Sequence, residues 1–524
     1  MVPAKWWEPA RSCRVPCSLC HQPCLGQVRG GNLWGDKPRE QCGVFGISAA
    51  NPGMQISKHI YFGLLALQHR GQEAAGLSVA NGSRQIFTLK DNGLVSQVMT
   101  EEALQKYWGN NGIGHVRYGT AGSGSVVNAQ PFYFENNITK FALSFNGNIA
   151  NYPVIRKELE GLGRIFLTNC DTEVIAKLMA STAMGSDDWV EILRLLSKRL
   201  DGSYCLLILT PEGDIYAIRD PMGFKPLVYG KLPGDEPIHA ISSETCAIDA
   251  LGGKVINDVQ PGEIIHIWPD STVQSEGFAG QGSSGRHALC MFEFVYFARP
   301  DSVIDKISVY KVRENLGRNL AKACPVSSDD AVVVPVPDSG RSAAVGFSKE
   351  AGIPFNEGLI KNRYVWRTFI TPGKEMRTSM VRQKLNPISA IVRNKDVVLI
   401  DDSIVRGTTM RQIVGLLRSA GARSVHVRIS CPPVLYPCFM GIDFPTRQEL
   451  IAGEKDMAHD MDFIESVRKD IKADSLGYQS IDGLVDSIGL PDDQICLACL
   501  NGDYPLRSNP LEDGNCAAFT AGRQ

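Results

Sequence analysis

The run VVLIDDSIVRGTT, Val397 to Thr409, narrows the folds open to this chain more than any other stretch. Its apolar opening is too short and too β-branched for a helix and reads as a strand buried on both faces. It stops at two carboxylates and passes through a small-residue turn into MRQIVGLLRSAGA, whose apolar spacing predicts a helix. A doubly buried strand that feeds a helix is one unit of a parallel sheet. AVVVPVP followed by RSAAVGFSKEAG repeats the pattern, and SVHVRIS adds a further strand. Open sheets of this kind bind ligands beyond the carboxyl ends of their strands. Asp401 and Asp402 are therefore placed for sugar hydroxyls and a nearby Mg²⁺, while Ser403, Arg406, Gly407, Thr408 and Thr409 offer N–H groups, hydroxyls and a helix N-terminus to a phosphate. A helix N-cap beside ordinary surface acids is the plainer reading of the same residues.

The string resembles the phosphoribosyl pyrophosphate signature of type I phosphoribosyltransferases. Upstream, VVVPVPDSGRSAAVGF ends a second strand at Asp338, Ser339 and Gly340, where that family cradles pyrophosphate. The resemblance implies that Ser339 joins Asp401 and Asp402 around Mg²⁺. It also makes KNRYVWRTFITPGKEMR, Lys361 to Arg377, the loop that closes over substrate, with Lys361, Arg363, Arg367 and Arg377 neutralising the pyrophosphate. A solvated basic loop is the alternative. Trp366 departs from the pattern, which expects a small residue there, usually Gly.

At 524 residues the chain exceeds one ordinary core. Apolar residues make up 44% and charged residues 21%, the balance of a globular protein. A net charge of -2 supplies no field for nucleic acid or anionic membrane. No stretch reaches the roughly 18 apolar residues of a membrane span, and a cytoplasmic location is expected. Residues 1–41, with four cysteines (Cys13, Cys17, Cys20, Cys24) and no amphipathic period, read as a leader. Residues 42–275 read as a strand-rich first domain, with helices at about 57–70 and 171–200. The Gly/Ser-rich FAGQGSSG at 278–285 marks the join to a strand–helix domain over 286–470. Residues 471–524 read as a helical segment with a loose tail.

The first domain opens on CGVFGI at Cys42, a string that resembles the N-terminal-nucleophile glutamine amidotransferases, whose fold is an αββα sandwich. In that family the cysteine is the first residue of the mature chain, and a free α-amine, titrating near pH 8, can act as its base. Removal of residues 1–41 at the Gln41–Cys42 bond is therefore expected. Further matching strings follow in order: LQHRGQEAAG at 67–76, GHVRYGTAG at 114–122, FNGNI at 145–149 and TNCDTE at 168–173. The resemblance implies that Arg117 pairs with the glutamine carboxylate and Asp171 with its α-amino group. Asn146 and Gly147 become the oxyanion donors. Phe145 departs from the pattern, which commonly has His there.

The chain has 15 cysteines, an odd and scattered set that fits metal or nucleophile roles better than a disulfide framework. Cys496 and Cys499 form a C-x-x-C, with Cys290 and Cys438 upstream. Spacing does not separate a structural zinc from an iron–sulfur cluster. Strings like CLAC and PPVLYPCF resemble those of amidotransferases that hold a 4Fe-4S cluster, which implies these four as its ligands. Cys431, Cys170, Cys205, Cys246, Cys324 and Cys516 read as packing residues or free thiols. The Cys13-x3-Cys17-x2-Cys20 spacing is similar to that of clusters that bind S-adenosylmethionine, but it lies in the leader and is read with it.

Over nearly all of residues 42–505, including the join HALCMFEFVYFARPDS, the chain resembles the iron–sulfur type of glutamine phosphoribosyl pyrophosphate amidotransferase. The resemblance implies ammonia released at Cys42, an internal path to the second site and 5-phosphoribosylamine as product, the first committed step of purine synthesis. It further implies a homotetramer and nucleotide feedback inhibitors. Other glutamine amidotransferases, such as those making glucosamine phosphate or asparagine, lack the Asp401–Asp402 loop. A regulatory phosphoribosyl-binding protein would have lost Cys42, Lys361 or Asp401, and all three are present.

Overall fold

The computed structural model describes residues 42–118, 125–186, 188–278, 287–362, 384–442, 450–451 and 461–507. Residues 1–41, expected to be a leader, Trp366, Arg363, Arg367, Arg377, Cys516 and the expected loose tail lie outside them.

Two antiparallel sheets form the first domain. One runs in the order Lys254–Asp258, Val228–Leu232, Ile238–Ser242, Gly43–Ala49, Asn111–Arg117, Ala74–Ala80, Ile86–Asn92. The other runs Val273–Gly277, Glu263–Ile267, Ile215–Arg219, Gly202–Leu209, Lys140–Ile149, Phe132–Glu135. Strand alternation decides which residues meet. Along Gly43–Ala49, Phe45, Ile47 and Ala49 pack outward on Ile60 and Leu64 of helix Ser57–Ala66, while Val44 packs inward with Leu207 and Ala217 of the facing sheet. Gly46 faces inward too, where an added Cβ would stand 3.2 Å from Leu207. Helices Tyr152–Gly161, Asp171–Thr182 and Trp189–Arg199 cover the second sheet through Leu159, Val174, Met179 and Leu193. The result is the expected αββα sandwich.

The helix expected over 171–200 is two helices. A 3₁₀ turn at Ala183–Gly185 ends the first, and Asp188 caps the second by accepting from the Val190 and Glu191 amides at 2.9 and 3.4 Å. Gly185 is a poor helix former and an Asp is a strong N-cap, so local chemistry overrides the continuous apolar period. Helix Tyr152–Gly161 was not expected from the pattern.

The second domain is a parallel sheet in the order Ala331–Pro335, Asp396–Asp401, Ser424–Ile429, Ser475–Tyr478. Val397, Val398, Leu399 and Ile400 are fully buried, as a central strand requires. Helices Val309–Ala323 and Arg341–Ala351 cross closely because both crossing points are glycine. A Cβ on Gly317 would lie 1.8 Å from the Ala343 carbonyl, and one on Gly346 would lie 1.9 Å from that of Glu314. The sheet does not stop at residue 470: Ser475–Tyr478 is its edge strand, and Ile495–Cys496 pairs in parallel with Leu289–Cys290. The C-terminal segment is thus packed into this domain.

The domains are held together by buried polar contacts. Arg219, on the second sheet, grips Asp305 in a two-bond fork at 2.7 and 2.8 Å. Asn148 Nδ2 donates to the Phe439 carbonyl at 2.7 Å, and Ser203 Oγ donates to that of Met440 at 2.7 Å. Among the described residues no helix is long and apolar enough to cross a membrane.

Candidate functional site

Cys42 is half-buried at the head of strand Gly43–Ala49, its thiol donating to the Tyr118 carbonyl at 3.8 Å. Burial raises the thiol's pKa above its ordinary value. Arg117 and Arg70 pull it down, and Asp171 pushes it up. The sulfur is therefore a thiol in need of a base, not a standing thiolate. Arg117 ends strand Asn111–Arg117, and Gly71 lets the 67–76 turn press on it: a Cβ there would meet the Arg117 backbone at 2.6 Å. Asp171 opens helix Asp171–Thr182 and accepts from the Ile149 amide at 3.3 Å, which ties it to the strand that carries Asn146 and Gly147. Asn146 is buried, and neither atom of its side-chain amide has a hydrogen-bond partner among the described residues. Leaving such a group unsatisfied costs roughly 1–3 kcal/mol, so it calls for a ligand. At Gly147 a side chain is impossible, since a Cβ would sit 2.1 Å from the Ser203 carbonyl.

Arg70 lies in the 67–76 string, whose local pattern does not signal its role. Fully buried, it donates to the Cys42 carbonyl at 3.2 Å, to Glu244 at 2.5 Å and to Glu293 at 2.9 Å. Burial opposes its charge, but Glu293 and Glu244 outweigh it and hold Arg70 protonated. Glu244 also accepts from His69 at 2.8 Å and from Ser302 at 2.6 Å. One ion network therefore joins the Cys42 backbone to the start of the second domain. No local spacing signals it, because partners such as Arg70 and Glu293 lie 223 residues apart.

In the second domain Asp401 and Asp402 are buried at the end of strand Asp396–Asp401. Ser339 and Ser403 both donate to Asp402, at 2.5 and 2.6 Å, and the Asp402 amide donates to Asp401 at 2.9 Å. Gly340 lies so close to the neighbouring strand that a Cβ would be 2.5 Å from the Ile400 carbonyl. Gly407, at φ +76°, forms the left-handed turn that starts helix Thr408–Ser419. Asp338 is half-exposed and meets Lys361 at 3.3 Å. Lys361 ends strand Leu359–Lys361, just before the undescribed Arg363 and Arg367. The structure thus brings Asp338, Ser339, Lys361, Asp401, Asp402 and Ser403 together at the carboxyl end of the sheet. The oxygen set of Ser339, Asp401 and Asp402 suits a hard cation such as Mg²⁺.

Cys290 and Cys496 stand opposite each other in the short parallel pair. Cys499 is fixed beside the Cys438 loop, its carbonyl accepting from the Leu435 and Tyr436 amides at 2.9 and 3.1 Å. All four cysteines are buried; burial first, then Cys438, Cys496, Cys290 and Cys431, push the Cys499 thiol up. Burial pushes the Cys290 thiol up to about 11, while Lys225 pulls it down. Lys225 is itself buried, and its Nζ has no hydrogen-bond partner among the described residues. A buried lysine side chain with no partner among the described residues, beside Cys290, fits an anionic thiolate centre there. Among the described residues no three His, Cys, Asp or Glu side chains form a group that could hold a metal ion, and these four thiols are no exception.

A family model described as a glutamine amidotransferase domain matches residues 120–250, and one described as a phosphoribosyl transferase domain matches 310–433. The amidophosphoribosyltransferase of Methanocaldococcus jannaschii is 46% identical over 479 residues, covering 89% of this chain and 98% of its own length. A solved structure described as the allosteric regulatory enzyme of purine biosynthesis superposes with a TM-score of 0.80 at 42% identity, covering 89% of this chain and 96% of the other. The glutamine phosphoribosylpyrophosphate amidotransferase of B. subtilis, solved with ADP and GMP, gives 0.79 at 41% identity, covering 89% and 98%. The chain belongs to the amidophosphoribosyltransferase family.

Proposed function

We infer that this chain makes 5-phosphoribosylamine, glutamate and pyrophosphate from glutamine, water and phosphoribosyl pyrophosphate, in the first committed step of purine synthesis. The observation that carries the reading is the presence, in one chain, of the Cys42 pocket and the Asp401–Asp402 cradle. In the first half-reaction Arg117 and Asp171 hold the carboxylate and α-amino groups of glutamine. The Cys42 thiol, deprotonated by its own α-amine once residues 1–41 are removed, attacks the side-chain amide carbon. Asn146 and the Gly147 amide receive the developing oxyanion, ammonia leaves with the proton, and water hydrolyses the thioester to glutamate. In the second, ammonia reaches C1 of the sugar by an internal path and displaces pyrophosphate.

Asp401 and Asp402 hold the ribose hydroxyls, and Ser403 with Arg406 to Thr409 holds the 5′-phosphate. Asp338, Ser339, Gly340, Lys361, Arg363 and Arg367 hold the pyrophosphate. Mg²⁺, held by Ser339, Asp401 and Asp402, supplies charge neutralisation of the leaving group. Cys290, Cys438, Cys496 and Cys499 hold a structural 4Fe-4S cluster, a reading supported by the pairing of Cys290 with Cys496 and by the buried Lys225, unpartnered among the described residues. The domains are assigned as 42–275 and from 286 onward, after a leader over 1–41, and the protein as a cytoplasmic homotetramer. Nucleotide control is supported by the ADP and GMP in the B. subtilis relative.

Amide-labelled glutamine supplied with phosphoribosyl pyrophosphate tests the reaction: label in phosphoribosylamine is expected. Label released only as free ammonia, with no aminated sugar, would overturn it. Metal analysis of anaerobically purified protein tests the centre, with iron and sulfide expected and zinc alone contradicting it.

A further inference from the structure

The strand that carries Asn146 and Gly147 loses its neighbour just where it matters. Phe132–Glu135 pairs with it from Phe132↔Leu143 to Glu135↔Lys140 and then stops. Continued in the same register, the next position opposite Phe145 is Gln130, but Pro131 has no N–H to extend the ladder. The Gln130 side chain takes over: its Oε1 accepts from the Phe145 amide at 2.7 Å. The Phe145 carbonyl is taken by His115, whose Nε2 lies 3.0 Å away. That carbonyl can only accept, so His115 carries its proton on Nε2. His115 reaches across the sandwich from strand Asn111–Arg117 of the other sheet. Both side chains are buried.

Each peptide group flanking Phe145 is therefore gripped by a side chain from elsewhere, and the second of these groups is bonded directly to Asn146. Gln130 also donates from Nε2 to Thr172 Oγ1 at 3.1 Å, and Thr172 follows Asp171. We propose that His115 and Gln130 are positioning residues of the glutaminase half-reaction, His115 for the oxyanion donors alone and Gln130 for these together with Asp171. The proposal rests on reading Asn146 and Gly147 as the oxyanion donors and deepens it. The departure at Phe145 fits: the grip is on its backbone, so the side chain there is free to be apolar.

An oxyanion donor acts in the transition state, whereas Asp171 acts on bound glutamine as well. The two residues should therefore separate in steady-state kinetics on the full-length protein. His115→Leu is expected to lower glutamine-dependent kcat roughly 10- to 100-fold with KM nearly unchanged, and His115→Gln, which keeps an N–H donor, to recover most of it. Gln130→Met is expected to lower kcat and raise KM together. Ammonia-dependent synthesis should stay at the parent rate in all three. Parent kcat in His115→Leu, or an equal loss of ammonia-dependent synthesis, overturns the proposal. Asn146→Ala separates the two levels: full glutamine-dependent kcat there contradicts the oxyanion reading itself, whereas a loss there beside normal His115→Leu contradicts only the positioning role.

Discussion

Cys42, Arg117, Asn146 and Asp171 come from three strands and a helix of one sandwich, whereas Asp401, Asp402, Ser403 and Gly407 to Thr409 come from a single strand, turn and helix. The first group is assembled by tertiary contacts and braced by side chains that grip its backbone: Arg70 on the Cys42 carbonyl, Gln130 and His115 on Phe145. The second is assembled by the backbone of one segment, with Ser339 and Lys361 added from neighbouring strand ends. A site written in one stretch depends on few distant residues. A site gathered across two sheets depends on many, and substitutions remote from Cys42 should reach its chemistry.

The sharpest way to break this comparison is in the second site. Asp401→Asn with Asp402→Asn removes the charge proposed to hold ribose and cation, and phosphoribosylamine synthesis from either nitrogen source should fall by at least about 1000-fold. Folding should survive, since the buried groups retain hydrogen-bonding atoms. Thiol-dependent glutamine hydrolysis should persist at a basal level, and its complete loss would show that the two sites are not separable. A smaller effect is expected where the first site is braced. Arg70→Met leaves Glu244 and Glu293 buried without their cation, which should cost about 3–5 kcal/mol in denaturant unfolding. Adding Glu293→Gln should recover part of that loss. Equal stability of Arg70→Met and parent would remove the network from the account.

The smallest effect is a pH dependence. Burial, despite the Phe145 hydrogen bond, pushes the His115 pKa down to about 3 from its ordinary 6.5. The unfolded chain then binds a proton at this position that the folded chain refuses, so stability is whole above pH 6.5 and is lost as pH falls toward 3. Between pH 7 and 5 this one group should account for about 2 kcal/mol. Urea titrations of parent and His115→Gln at both pH values should show the parent losing more by that amount. Parallel losses would mean that His115 takes up its proton in the folded state.

How much could be read beforehand follows the same divide. The strand, its two acids and the helix after them were legible because burial, charge and helical period follow one another along one stretch, Val397 to Ala422. Cys42, Asn146 and Asp171 were legible only as short strings whose order resembles a family, since no period connects them. His115, Gln130, Glu244 and Glu293 were not legible in role, because a buried hydrogen bond between residues far apart leaves no local pattern. Lys225 was also missed: in sequence it is one lysine near a turn, and only the fold shows it buried beside cysteines. The continuous helix expected over 171–200 failed for the opposite reason, a local cap at Asp188 stronger than the apolar period.

One chain is expected to carry two separable reactions joined by ammonia. Cys42→Ala tests it most directly, assayed for phosphoribosylamine with glutamine and then with high ammonia. Loss of the glutamine-dependent reaction with ammonia-dependent synthesis near the parent rate is the expected result. Retained glutamine-dependent synthesis would contradict the claim, and so would loss of both reactions in a protein that remains folded.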